Sequence, residues 1–155
     1  MRIEAASANN HKRVFEVDLP RGRYSYPYAL CEPSPSADDP LVGYWIDAEL
    51  AEEALTYRLA SGAEGTLHLE QVLDHNKDPE YLREMLLYRL SLEAQRQLEA
   101  SPLSKREVAR RLGTSPAQLY RLLDQTNCSK SVDSVIALLT VLGCDVDITV
   151  NEHVA

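Results

Sequence analysis

Between Ser104 and Lys130 the chain carries six basic residues, Lys105, Arg106, Arg110, Arg111, Arg121 and Lys130, against two acidic ones, Glu107 and Asp124. The chain as a whole has a formal net charge of −8, so this local excess of positive charge marks the stretch where a polyanion would be held through its phosphates. Gln118 and Arg121 lie in the same stretch and suit base recognition: a guanidinium forks onto guanine, and a carboxamide pairs with adenine. The chemistry on offer is recognition of a nucleic acid. No nucleophile beside a base, no phosphate-cradling glycine loop and no Walker motif is present in the sequence, so no enzymatic activity and no cofactor are expected.

A rigid helix is a scaffold from which such side chains read the major groove, and the local sequence supplies the start and stop signals for one. Ser104-Lys-Arg-Glu107 has the form of a capping box, in which a serine hydroxyl and a glutamate carboxylate satisfy the free amides of a helix start. Val108, Ala109 and Leu112 form the inward side of that helix, and Gly113 suits the left-handed residue that ends it. Ser115-Pro116-Ala117-Gln118 opens a second helix with a cap, a first-turn proline and a glutamine at the box position. Leu119, Leu122 and Leu123 are its buried stripe, which turns Ala117, Arg121 and Asp124 outward with Gln118 and Tyr120 beside them. Ser131 and Val132 begin a further helix with Val132, Val135, Ile136, Leu139 and Leu142 inward. Gly143 stops it before an alternating strand from Asp145 to Val150. Lys105, Arg106, Ser115, Asn127, Ser129, Lys130 and Ser131 fall at helix starts or in the following loop, where donors and free amides suit phosphate.

The run SKREVARRLGTSPAQLYRLL, residues 104–123, together with the helix at 132–142, resembles the Cro/Xre helix-turn-helix family; the likeness covers residues 91–150 at most. That resemblance implies a homodimeric transcriptional repressor, or an antitoxin, that reads double-stranded DNA with its third helix. It also implies base-facing roles for Pro116, Ala117, Gln118, Tyr120 and Arg121.

The acidity belongs to the front of the chain, where residues 1–90 hold nine basic against sixteen acidic side chains, compared with seven against eight in residues 91–155. An acidic front suits a protein partner, and the alternative to a stand-alone regulator is an antitoxin whose front domain neutralises a basic toxin while the rear module represses its own operon. After a frayed start, Arg13–Leu19 alternates as a strand and Pro20-Arg-Gly22 reads as a turn. Cys31–Pro40, with Pro33, Pro35 and Pro40, predicts an exposed loop. Leu41–Ile46 and a hairpin of 54–59 with 66–69, closed by residues 61–65, predict a small antiparallel sheet. Tyr24, Tyr26 and Tyr28 alternate near Trp45 and are expected to pack within it.

Asp78-Pro79 is a strong helix start, and Leu82, Met85, Leu86, Leu90 and Leu98 continue at helical spacing, with a break expected near Ser91. The predicted organisation is therefore α+β: a small antiparallel β domain at 1–77, a linking helix at 78–90, and an all-α helix-turn-helix domain with a terminal strand at 91–155. His68, Glu70, Asp74, His75 and Asp78 cluster in sequence but lack a recurring ligand spacing, and Asp78 is already explained as a cap, so no metal is expected. Cys31, Cys128 and Cys144 are widely spaced and predict reduced thiols. With no apolar stretch long enough for a signal peptide or a membrane span, the expected location is the cytoplasm. The terminal strand is expected to pair with its copy in a dimer.

Overall fold

The computed structural model describes residues 1–153. Among them are two three-stranded antiparallel sheets and five α-helices, a mixed α+β architecture. The chain divides into two compact units, Met1–Leu82 and Arg83–Ala155.

In the first unit β1 (Ala5–Asn9), β2 (Val14–Leu19) and β3 (Gly22–Pro27) form one sheet in that order. The second sheet is β4 (Leu41–Ile46), β5 (Ala54–Leu59) and β6 (Glu64–His68). Phe15, Val17 and Leu19 of β2 are buried and alternate with the more open Glu16 and Asp18, so the period of two in the sequence selects the face that meets the core. Gly22 takes φ +146° directly after the Pro20-Arg21 turn, a conformation open to glycine. The strand at 54–59 begins at Ala54 as the sequence predicts, and as the central strand of its sheet it is buried almost throughout.

Both sheets contribute to one core with α1 (Leu69–His75), which buries Leu69, Val72 and Leu73. Tyr26 and Tyr28 are buried in this core and Tyr24 packs on its margin. Two expectations are corrected here and a third is refined. The frayed start is the strand β1, held by its ladder with β2 and by Ile3 N–H donating to Glu52 O at 2.8 Å. The strand expected at 66–69 ends at His68, and Leu69 opens a short helix instead, started by the Gln71 carboxamide accepting from His68 N–H at 2.9 Å. The proline-rich segment is the largely exposed loop the sequence predicts, but it is pinned to the core: Cys31 and Pro35 are buried, Arg13 donates to Pro35 O at 2.9 Å, and Tyr57 Oη donates to Pro33 O at 2.6 Å. Gly65 makes room for that phenol, because a Cβ there would lie 2.2 Å from Tyr57 Oη. Burial pushes the Cys31 thiol up to about 11, so it stays protonated and unreactive.

Helix α2 (Pro79–Ala100) starts as the sequence predicts, with Asp78 Oδ1 accepting from Tyr81 N–H at 3.0 Å. The other carboxylate oxygen accepts from Tyr24 Oη at 2.8 Å, and Arg21 pairs with Oδ1 at 2.8 Å. The helix does not break at Ser91, whose buried hydroxyl donates to Leu87 O at 2.6 Å and needs no other partner. Leu87, Ser91, Ala94 and Leu98 are its buried side, so residues 83–90 belong to the second unit instead of forming a separate linker.

The second unit continues with α3 (Lys105–Leu112), α4 (Pro116–Leu123) and α5 (Val132–Val141). Val108, Ala109, Leu119, Val135, Leu138 and Leu139 close its core, with α3 packed on both α4 and α5. The expected terminal strand is absent: residues 145–150 form no ladder, and Val146, Ile148 and Val150 are exposed. A lone strand has no donor or acceptor row to pair with inside this unit, where every other element is helical. No helix among the described residues is long and apolar enough to cross a membrane.

Candidate nucleic-acid interface

Helices α3 and α4 are joined by a three-residue turn whose geometry follows from its residues. Gly113 adopts φ +74°, its N–H donates to Arg110 O at 3.1 Å, and Thr114 N–H reaches back to Ala109 O at 2.9 Å. This left-handed stop satisfies carbonyls that the end of α3 would otherwise leave open. Ser115 Oγ then accepts from Gln118 N–H at 3.2 Å and starts α4, with Pro116 in the first turn. Ser104 and Ser131 cap α3 and α5 in the same way, each such cap contributing about 1 kcal/mol.

Ser104 caps α3 as predicted, but the reciprocal half of its capping box does not form. The Glu107 carboxylate turns instead to Arg110, at 2.6 and 2.9 Å, and to Arg111 at 3.0 Å. Hydrogen bonds from these guanidinium groups hold Glu107 at about 2, below its ordinary 4.5. Since the folded value lies below the unfolded one, this network stabilises the protein fully above pH 4.5, and its contribution is lost as pH falls towards 2. Carboxyl titration by NMR is expected to give Glu107 a midpoint near 2. In an Arg110→Gln, Arg111→Gln double variant that midpoint should return towards 4.5; an unchanged midpoint would contradict the pairing.

All five candidate base-reading residues, Pro116, Ala117, Gln118, Tyr120 and Arg121, are exposed on α4, while Leu119 and Leu123 are buried beneath them. The Tyr120 ring carries the Lys105 ammonium 5.2 Å from its centroid, which ties the first turn of α3 to the face of α4. Among the described residues the side chains of Gln118, Arg106 and Arg121 make no hydrogen bond or ion pair within the protein. Arg110 and Arg111 share the single Glu107 carboxylate and keep one net positive charge, and the exposed cationic heads in this stretch with no carboxylate partner are those of Lys105, Arg106 and Arg121.

Lys130 departs most from expectation. The sequence placed it among phosphate contacts, yet the residue is only 7% exposed, and its ammonium donates to Leu122 O at 2.8 Å and Asp124 O at 2.6 Å. Burial pushes this ammonium below the ordinary lysine value, partly countered by the nearby Asp124 carboxylate. Asn127 Nδ2 donates to Arg121 O at 3.2 Å, and Gln95 Nε2 donates to Leu123 O. Arg83 holds the loop itself through Cys128 O at 3.2 Å and Lys130 O at 3.3 Å. The end of α4 is thus fixed by side chains from α2 and from the loop, where a cation also complements the negative end of the helix. Ser129 Oγ donates to the Asn127 carboxamide and Ser131 Oγ to Ser134 Oγ, so these expected phosphate donors are turned into their own loop.

No sequence signal marks Lys130, Gln95 or Arg83 as clamps, because their partners are main-chain oxygens. Lys130→Met is expected to lower stability by about 2 kcal/mol in urea, the cost of two charge-assisted hydrogen bonds to the end of α4. The salt slope of DNA binding should not change, whereas loss of a phosphate contact would reduce it by about one unit.

The described residues contain no group of three or more His, Cys, Asp and Glu that could hold a metal ion. Comparison with protein-family models, with curated proteins and with solved structures finds no match.

Proposed function

We propose that this protein is a sequence-specific DNA-binding transcriptional regulator, a cytoplasmic repressor that reads the major groove with α4. The observation that carries this reading is the pairing of two short capped helices across a left-handed glycine turn, with the second helix presenting unpaired Gln118 and Arg121 outward. Both side chains suit base edges, and Lys105, Arg106 and Ser115 lie at the helix starts, where phosphates are best received. A single module offers a small contact area, so a homodimer spanning two half-sites is part of the proposal, with residues 145–150 supplying an intersubunit strand.

A labelled duplex from upstream of the protein's own reading frame and a scrambled duplex of equal composition, titrated at several salt concentrations, test this directly. The expected result is binding at least about 10³-fold tighter to the upstream duplex, with a dimeric mass in solution. Equal binding to the two duplexes at every salt concentration would overturn the reading.

A second reading, an antitoxin, is favoured by the distribution of charge. Residues 1–82 hold seven basic against fifteen acidic side chains, an electrostatic match for a basic protein partner. In this reading the first unit neutralises the toxin, and the second represses the operon.

A further inference from the structure

Strand β4 has the sequence Leu-Val-Gly-Tyr-Trp-Ile and carries neither a charge nor a proline. It is an edge strand, hydrogen-bonded to β5 and to no other strand. Edges of this kind are normally blunted by lysine, proline or a covering segment, because an open row of amides and carbonyls recruits another strand. The only such device here is a register shift between Leu41 and Gly43. Tyr44 turns towards the core, its ring 6.3 Å from that of Phe15, and Trp45 lies on the other face under the Arg58 guanidinium at 5.7 Å. Each nevertheless remains about two-fifths exposed, 39% and 41%, with Val42 at 61%. Strand β1 of the other sheet approaches β4 but makes no backbone hydrogen bond to it among the described residues, so the outer row of amides and carbonyls has no strand partner.

The ends of the strand indicate what belongs there. Asp38 and Asp39 precede β4, and Asp47 and Glu49 follow it, so an uncharged strand is bracketed by carboxylates at both ends in a unit where fifteen acidic side chains face seven basic ones. A second copy of this chain would bring the same negative charges against them, whereas a basic segment complements them. We infer that the free edge of β4 binds an extended segment of a basic protein partner, added as a further strand, with apolar residues beside Val42, Tyr44 and Trp45 and basic residues at both ends. This inference deepens the partner-binding reading of the first unit and rests on it.

Trp45 is the only tryptophan of the chain and reports on the site directly. The probe is a synthetic decapeptide with a Thr-Val repeat flanked by two Lys or Arg residues at each end, added to the full-length protein. The expected result is a saturable blue shift of Trp45 emission whose affinity falls about tenfold or more between 0.05 and 0.3 M salt. An otherwise identical peptide with Glu at its ends, or one N-methylated at alternate amides, should not bind. Tyr44→Lys should weaken binding at least about tenfold while leaving the preference for upstream DNA unchanged. Binding of the basic peptide that is indifferent to N-methylation and to Tyr44→Lys would overturn the edge site while leaving an acidic partner surface in place. No binding at all would overturn both. A dimer whose Trp45 emission is already shifted would assign the edge to a second copy instead.

Discussion

Arg121→Ala is expected to cost about 1–3 kcal/mol of binding to the preferred duplex and to leave binding to the scrambled duplex almost unchanged, so that discrimination collapses. Arg121 stands exposed on α4, and none of its donors is spent inside the protein among the described residues. A guanidinium in that state has its full fork of donors for a base and loses little on leaving water. Fluorescence anisotropy on the two duplexes over a salt series separates the roles. A base contact changes the affinity ratio, whereas a phosphate contact lowers both affinities and flattens the salt dependence. Arg121→Lys sharpens the test, since an ammonium keeps the charge but cannot fork. Full retention of discrimination in Arg121→Ala would remove this residue from the reading face.

Asp78→Ala is expected to destabilise the first unit by about 3 kcal/mol, measured by urea unfolding. The Asp78 side chain is 4% exposed and serves three donors: the Tyr81 amide, the Tyr24 hydroxyl and the Arg21 guanidinium. Burial pushes its carboxyl up, but these three partners outweigh that and hold it below the ordinary value, so the charged form is the one the fold is built around. Its contribution is therefore present at neutral pH and lost in acid. Removal would leave Arg21, whose Nε is already buried without a partner, with the more exposed Glu80 as its one carboxylate. Glu80→Ala removes a partner on the solvent side and should cost less than about 1 kcal/mol. Equal, small losses for both variants would show that Asp78 acts only as a helix cap.

The helical module was legible because its punctuation is local. Ser104, Ser115 and Ser131 cap the helices they were expected to cap, and Gly113 takes the left-handed conformation that its place after Leu112 demands. Strand β1 was not legible: Ala5–Asn9 lacks β-branched and aromatic residues and is a strand only because β2 lies beside it. The sequence 145–150 errs in the opposite direction, alternating perfectly but finding no neighbour in its own unit. At the site, charge misled. Glu107 had two arginines within one helical turn and took them in preference to a backbone amide. Lys130 is buried among main-chain oxygens that appear in no motif.

The clamps on α4 hold carbonyls of Arg121, Leu122, Leu123 and Asp124. Every amino acid carries that oxygen, so the support is blind to the side chains on the outward face. Gln118, Ala117 and Arg121 can therefore be exchanged without loosening the helix that bears them, much as type is reset in a fixed frame, whereas Tyr120 also carries the Lys105 ammonium. On the proposed DNA-reading role of α4, changes in target preference through these positions would carry little structural penalty, and duplication followed by drift at a handful of codons would suffice to give sister proteins different operators.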